Sequence, residues 1–201
     1  MKHIIDKSFS FCYGHRVHNQ RLDSNFTESG NTCLACRHLH GHEGLVKVFL
    51  EEITTGVNVS TTGMVSDFKH LGWFKNFIDD ILDHKMILDL KDPILPAELP
   101  EIHSTDGVLQ TQFLIKDNRG FSIIDLDTLH EAEGWNLDNP LCKAIYEKYE
   151  GIVIVDFVPT SENLAGWLLT VATEKMRGLP NIKVSAVEYW ETPKSHCRVE
   201  A

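Results

Sequence analysis

The sequence predicts an α+β fold, in which a mainly antiparallel sheet packs against two main helices on one of its faces. Segments rich in β-branched and aromatic residues occupy the first third of the chain and residues 181–192 near its end. Two segments, residues 67–85 and 159–178, carry apolar residues at helical spacing. The order of strands, long helix, a region of different character at residues 90–150, second helix and closing strand indicates the α+β class.

The first third predicts two strands that are joined by a polar loop. Residues 2–17 are rich in aromatic and β-branched side chains and form the first predicted strand. Residues 19–35 are polar with one glycine, which is typical of a loop. Residues 44–53 (GLVKVFLEEI) show the alternation of a second strand. We expect a turn at residues 54–63 and a short strand end at 64–68.

Both helices are predicted from apolar stripes. The first helix is expected to begin near Asp67. Its apolar stripe consists of Leu71, Phe74, Ile78 and Ile81, with Leu82 beside them. The second helix can be capped by Thr160 or Ser161. Its apolar stripe consists of Leu164, Trp167, Leu168 and Val171.

The region between the two helices has its own local signals. Residues 90–101 contain three prolines and predict an irregular segment. A hairpin is expected to turn at residues 116–120 (KDNRG). A short helix is expected to open at Pro140 and to stop at Gly151. The apolar run at residues 152–158 then predicts a buried strand.

Composition limits the classes of function. A chain of 201 residues is long enough for one domain, with or without an insertion. The net charge of −10 argues against nucleic acid or an anionic membrane as the main partner. No apolar run has the length of a signal peptide or a membrane span. Five cysteines, an odd number, favour reduced thiols and hence a cytoplasmic protein.

Histidines are concentrated around CRHLHGH, residues 36–42. His40 and His42 are two residues apart, so on a strand both imidazoles point to the same side and can reach one ion. His15, on the first strand, can supply a third ligand. Three histidines leave the fourth position of a tetrahedral zinc open, which is typical of a catalytic site. The alternative is a pair of surface histidines that hold no ion.

Two cysteines lie beside these histidines in the segment CLAC. Cys33 and Cys36 could complete a closed Cys2His2 zinc site, although their spacing from the histidines is short for such a site. Cys36 could instead be a base or nucleophile, because a nearby cation lowers the pKa of a thiol. Asp83 and His84 could then help to move its proton, with a solvated helix end as the alternative.

Six motifs together resemble the superfamily of 6-pyruvoyl-tetrahydropterin and 6-carboxytetrahydropterin synthases. They are FCYGHRV, CRHLHGH, GMVSDF, LDHKMIL, PTSENLA and EYWET, in this order along the chain. The resemblance covers residues 5–88 and 152–193. It implies that residues 90–150 are an insertion within a single domain that spans residues 1–201.

The resemblance also implies roles for individual residues. The zinc ligands are His15, His40 and His42. Cys36 is the catalytic cysteine, and its proton-relay partners are Asp83 and His84. Glu191 anchors the pterin, because a carboxylate can accept two hydrogen bonds from an amino-pyrimidine edge. Thr160, Ser161 and Glu162 belong to a segment near the same substrate pocket; the alternative for Glu162 is that it interacts with the helix dipole.

The spacing C-x-x-x-H-G-H from Cys36 resembles the 6-carboxytetrahydropterin type, which belongs to the 7-deazaguanine (queuosine precursor) pathway. This implies a Zn²⁺-dependent lyase that converts 7,8-dihydroneopterin triphosphate to 6-carboxytetrahydropterin, with release of acetaldehyde and triphosphate. A pyruvoyl-type synthase on the same scaffold is the first alternative. A non-catalytic, zinc-stabilised binding module is the second.

The resemblance implies the tunnelling fold (T-fold) and an assembly of several copies. Family members close their sheets into a barrel as trimers or as hexamers of two trimers, with the sites at subunit interfaces. We therefore expect a homo-oligomer, since such closure removes exposed sheet edges. The expected partner besides other copies is the small pterin substrate, with no nucleic acid and no membrane.

Overall fold

A computed structural model describes residues 1–27 and 34–201; Cys33 lies outside the described residues. The strands are β1 (Ile4–His15), β2 (His40–Glu52), β3 (Lys85–Asp89), β4 (Leu114–Asp117), β5 (Phe121–Ile124), β6 (Ile152–Val155), β7 (Ile182–Thr192) and β8 (Ser195–Glu200). The helices are α1 (Val57–Thr62), α2 (Gly72–Ile81), α3 (Leu95–Glu98), α4 (Leu126–Glu133), α5 (Pro140–Glu150) and α6 (Ser161–Met176). Short 3₁₀ turns lie at Ala35–Arg37, Phe68–Leu71, Pro100–Ile102 and Thr111–Phe113.

These elements confirm the α+β class. The strands form an eight-stranded sheet in the order β4-β5-β6-β3-β1-β2-β7-β8. By contacts within the chain, the molecule divides into two compact units. Unit 1 comprises Met1–Tyr13, His42–Asp83 and Thr160–Ala201, and unit 2 comprises Gly14–Gly41 and His84–Pro159.

Unit 1 contains the two main helices. The antiparallel pair β2–β7 aligns Val48 with Val187, and β7 continues into the antiparallel strand β8. Helix α6 packs against β7 and β8, and it contacts α2 through the rings of Trp167 and Phe77. The predicted stripe of α6 is buried as expected. In the stripe predicted for the first helix, every residue is buried except Ile81, which is partly exposed.

Caps define the helix starts in unit 1. Thr160 is the cap of α6, where its side chain accepts a hydrogen bond from the Asn163 N–H. Asp67 caps the 3₁₀ turn that leads into α2, which confirms the predicted start. Residues 54–63 are not a simple turn, because α1 forms there; the Glu52 carboxylate accepts backbone hydrogen bonds from its first turn.

Two further expectations for unit 1 were wrong. Residues 64–68 do not form a strand but an irregular link into the 3₁₀ turn before α2. The chain does not end its sheet at β7, because β8 pairs with it through a short connection. Strand β8 (SHCRVE) consists mainly of polar residues, so its sequence gives only a weak signal for a strand.

Unit 2 has a hydrophobic core of its own. Strand β6 runs parallel to β3 and antiparallel to β5, which in turn forms the predicted hairpin with β4. All four residues of β6 are buried, as expected for a strand inside a sheet. The core cluster consists of Leu88, Leu95, Leu99, Ile102, Phe113, Ile124, Leu129, Tyr149, Ile152 and Ile154.

The sequence prediction for unit 2 was partly right. The helix that opens at Pro140 is confirmed as α5. Residues 90–101 are less irregular than expected, because they contain α3 and a 3₁₀ turn. Strand β3 and helix α4 were not predicted.

Among the described residues, no helix combines the length and the apolar character that crossing a lipid bilayer requires.

Candidate metal centre

Four side chains from three strands converge on one point. His15 ends β1, His40 and His42 open β2, and Glu191 lies near the end of β7. One donor atom from each of these residues lies within 4.8 Å of the others, so the group could hold a metal ion. The three histidines are those predicted from the sequence, and their role as ligands of one ion stays a prediction that this group supports.

Two of the imidazoles are oriented by backbone carbonyls. His15 Nδ1 lies 2.6 Å from Pro159 O, and His40 Nδ1 lies 2.7 Å from His38 O. A carbonyl oxygen only accepts, so each Nδ1 carries the proton and each Nε2 keeps a lone pair for a metal. The rings of His15 and His40 are 4.5 Å apart between centroids. Imidazole and carboxylate ligands fit zinc and related divalent metals.

Glu191 joins the metal group in a way that the sequence did not predict. Its Oε1 lies 3.0 Å from His42 Nε2, and its Oε2 accepts a hydrogen bond of 2.9 Å from the Ser161 hydroxyl. The family resemblance assigns Glu191 to the substrate. No local signal could place it beside His42, since the two residues are far apart in the chain and meet only through the pairing of β2 with β7.

The segment at the start of α6 contributes unequally to this site. Ser161 reaches Glu191, whereas Thr160 is occupied as the helix cap. Glu162 is exposed in the first turn of α6, where a carboxylate is favoured by the helix dipole. The structure therefore brings Ser161 to Glu191, and a substrate-binding role for Thr160, Ser161 and Glu162 stays a prediction.

The buried Tyr13 packs beside His42, and the buried Tyr189 packs against Tyr13; neither was predicted from the sequence. The Tyr13 ring lies 5.9 Å from that of His42 and 6.0 Å from that of Tyr189, between centroids. Burial raises the pKa of Tyr13 far above its ordinary value, so its phenol stays neutral. Gly44 allows this packing, because a Cβ there would meet atoms of both tyrosines at 3.1 Å. Tyr13 precedes His15 by two residues, and this spacing on one strand face was the available signal.

Cys36 lies in the 3₁₀ turn before β2 and is half-buried. Its backbone N–H donates to Gln20 Oε1 at 3.0 Å, and its carbonyl accepts from the Val17 N–H at 2.7 Å. Asp83 Oδ1 accepts from the Cys12 N–H at 2.8 Å, and His84 follows with a left-handed backbone at φ 58°. A proton relay of Cys36 with Asp83 and His84 stays a prediction.

His38 alternates with His40 and His42, so periodicity alone would include it among the ligands. It is exposed, and its carbonyl contacts the His40 ring. In the described part of the chain, the group that could hold a metal contains neither His38 nor Cys36. The alternative Cys2His2 site requires Cys33, which lies outside the described residues.

Comparisons with known proteins show the family of this chain. The family model described as 6-pyruvoyl tetrahydropterin synthase matches residues 4–201. The chain is 29% identical over 206 residues to a 6-carboxy-5,6,7,8-tetrahydropterin synthase of Aquifex aeolicus (strain VF5), which covers 97% of this chain and 96% of the relative.

Two solved structures are also similar. An uncharacterized protein of Wolinella succinogenes has a TM-score of 0.84 and 42% identity, covering 100% of this chain and 98% of that one. A 6-pyruvoyl tetrahydropterin synthase of Plasmodium vivax shares the fold, with a TM-score of 0.50 and 17% identity over 99% of this chain and 98% of that one. The chain belongs to the 6-pyruvoyl tetrahydropterin synthase family.

Proposed function

We propose that this protein is a zinc-dependent 6-carboxy-5,6,7,8-tetrahydropterin synthase. The observation that carries the proposal is the convergence of three imidazoles and Glu191 on one point. The similarity to the Aquifex aeolicus synthase over almost the whole chain supports the 6-carboxy type. The spacing of Cys36 from His40 and His42 supports the same type. The reaction consumes one water and converts 7,8-dihydroneopterin triphosphate to 6-carboxytetrahydropterin, acetaldehyde and triphosphate, as a step towards 7-deazaguanine compounds.

His15, His40 and His42 would hold the metal. A bound zinc ion supplies Lewis acidity that makes substrate hydroxyl groups more acidic. The protein contributes the orientation of the ligands, because backbone carbonyls set the tautomers of His15 and His40. The buried and neutral Tyr13 ring packs beside the ring of His42.

Glu191 would orient the substrate. Its carboxylate accepts from the amino-pyrimidine edge of the pterin, while the Ser161 hydroxyl keeps one carboxylate oxygen in position. Orientation of this kind can account for several kcal/mol of a reaction barrier when it aligns the reacting atoms, roughly 7–11 kcal/mol in the best cases. The Cys36 thiolate takes a proton from the side-chain carbon of the substrate, and Asp83 and His84 accept and return that proton.

The product of the reaction tests the proposal. The zinc-loaded protein is incubated with 7,8-dihydroneopterin triphosphate, and the pterin products are identified by mass spectrometry. We expect a 6-carboxy side chain together with acetaldehyde. A 6-pyruvoyl side chain would instead identify the pyruvoyl-type synthase, and an unchanged substrate would contradict both assignments.

Replacing Cys36 separates an enzyme from a zinc-stabilised binding module. In Cys36→Ala we expect turnover to fall by at least about 100-fold, because a general base typically contributes 100- to 10,000-fold. Zinc, measured by elemental mass spectrometry, should stay near the wild-type ratio. Cys142→Ala, at a half-buried cysteine in α5, is the matched control and should keep both activity and zinc. Loss of zinc and folded structure in Cys36→Ala would contradict the assignment of Cys36 as a base.

A further inference from the structure

Residues 16–20, directly after β1, lie in unit 2 against two buried carboxylates. Asp89 ends β3, Asp92 follows it by three residues, and each is 2% exposed. A buried carboxylate is costly unless ion pairs or hydrogen bonds satisfy it. The partners of Asp89 and Asp92 therefore indicate what these side chains hold in place.

Each carboxylate binds its own loop and the segment 16–20 at the same time. Asp89 accepts from the Lys91 N–H at 2.9 Å and from His18 Nε2 at 2.9 Å. Asp92 accepts from the Ile94 N–H at 3.0 Å. Its Oδ2 also lies 3.1 Å from Arg16 Nε, as an ion pair outside hydrogen-bond geometry. The loop after β3 thus holds two side chains of the segment.

The other end of the same segment holds the turn that carries Cys36. The Val17 N–H donates to the Cys36 carbonyl at 2.7 Å, and the Cys36 N–H donates to Gln20 Oε1 at 3.0 Å. Arg37, the next residue of the turn, donates two hydrogen bonds of 2.8 and 3.0 Å to the Gln20 carbonyl. Both backbone groups of Cys36 are therefore bonded to residues 17–20.

We propose that Gln20 and His18 are positioning residues for the Cys36 thiol. His18, together with Arg16, fixes the segment 16–20 to the buried carboxylates, and Gln20 fixes the Cys36 backbone to that segment. The inference rests on the proposed function, in which Cys36 is the base. Basic side chains beside a triphosphate substrate suggest phosphate binding, but Arg16, His18 and Arg37 are engaged in the contacts that hold this turn.

The first test removes the acceptor of the Cys36 N–H. Gln20→Met keeps the length of the side chain and loses Oε1. Because a displacement of about 1 Å can cost about 100-fold in rate, we expect kcat to fall by roughly 10- to 100-fold with KM nearly unchanged. The rate at which iodoacetamide alkylates Cys36, located by fragment-ion mass spectrometry and followed against pH, should also change.

The second test compares two substitutions of His18, one that removes its hydrogen-bond donor and one that keeps it. His18→Leu removes the donor to Asp89, whereas His18→Gln keeps an N–H at the same reach. We expect His18→Leu to lower kcat and to alter Cys36 alkylation, and His18→Gln to restore most of both. His130→Leu is the matched control, since His130 Nε2 makes a hydrogen bond of 2.9 Å to the Trp135 carbonyl in the same unit. It should leave alkylation unchanged.

The outcomes separate this inference from the proposed function. Alkylation of Cys36 is measured without substrate, so it tests positioning even if the wild-type protein makes no 6-carboxy product. Wild-type kcat and alkylation in Gln20→Met and His18→Leu would overturn the inference. A rise in KM with constant kcat would also overturn it, because these residues would then bind substrate. If His18→Leu does not fold, the Gln20→Met result decides.

Discussion

At the residue scale, Glu191 has two possible partners within one site, the pterin and the metal. Its Oε1 lies 3.0 Å from His42 Nε2, and the Ser161 hydroxyl donates to its Oε2. The family resemblance assigns it to the pterin, whereas the geometry alone would also allow it to bind the ion. When the charge of Glu191 is removed, a metal ligand would lower the zinc content, whereas a pterin-binding residue would raise KM.

We expect Glu191→Gln to keep zinc near the wild-type ratio and to raise KM by roughly 10- to 100-fold. Loss of a hydrogen bond to a charged group costs about 1.5–3 kcal/mol, and about 1.4 kcal/mol corresponds to tenfold. Elemental mass spectrometry and steady-state kinetics measure the two quantities. His42→Ala is the comparison and should lose zinc. Equal loss of zinc in Glu191→Gln would identify Glu191 as a metal ligand.

Tyr149 is a buried residue of unit 2 whose hydroxyl is hydrogen-bonded to Glu101. It is 0% exposed, its O–H donates to the Glu101 carboxylate, and it accepts from the Glu101 N–H at 3.1 Å. Burial, and then the neighbouring carboxylate, raise the pKa of the Tyr149 phenol well above its ordinary value. The Tyr149 phenol therefore remains a neutral hydrogen-bond donor at neutral pH.

Tyr149→Phe should lower the free energy of unfolding by about 1–3 kcal/mol, because it leaves the part-buried carboxylate and N–H of Glu101 without their partner. Urea denaturation followed by circular dichroism measures the change. Tyr146→Phe, at a tyrosine of the same helix whose described contacts are with the rings of His130 and Trp135, should have a smaller effect. Equal stability of the two variants would contradict the role of the hydroxyl.

At the element scale, α1 depends on a carboxylate that precedes it in β2. Glu52 accepts hydrogen bonds from the backbone N–H groups of Gly56, Asn58 and Val59. Burial alone would raise the pKa of Glu52, but these three donors hold it below its ordinary value of 4.5. A carboxylate with a lowered pKa stabilises the fold above its unfolded-state pKa and loses this contribution as the pH falls through its folded-state pKa.

Glu52→Gln should therefore destabilise the protein near neutral pH and differ less from wild type as the pH falls below about 4.5. Unfolding midpoints at pH 3 to 7 measure the difference. Glu51 is the matched comparison, since ion pairs with Lys183 and Lys2 lower its pKa. Salt should weaken the effect of Glu51→Gln more than that of Glu52→Gln, because the Lys2 and Lys183 side chains that pair with Glu51 are exposed and their charges are screened. A pH-independent difference for Glu52→Gln would contradict the mechanism.

Elements were predicted best where the signal is local. The apolar stripes of α2 and α6, the cap at Thr160 and the hairpin of β4 with β5 each depend on neighbours within a few residues. The missed or mistaken elements depend on distant partners. Strand β3 is stabilised by parallel pairing with β6, and α1 by Glu52, so neither leaves a clear pattern in its own segment.

At the scale of the whole molecule, the T-fold resemblance predicts an assembly of identical chains with sites at subunit interfaces. The prediction is a trimer or a hexamer, with a mass three or six times that of the 22.8 kDa chain. Mass photometry and analytical ultracentrifugation measure it. We expect activity per chain to fall on dilution together with the assembled fraction. Full activity in a demonstrably monomeric sample would contradict this expectation.

The sequence by itself determined the α+β class and the main helices, and it predicted three histidines that share an ion. It could do so because apolar periodicity, capping and the i, i+2 spacing on a strand are local. The tertiary structure decided that Glu191 joins these histidines, that residues 90–150 contribute to a hydrophobic core, and that residues 16–20 carry the Cys36 turn. These contacts join distant segments through strand pairing and buried carboxylates, which local periodicity does not encode.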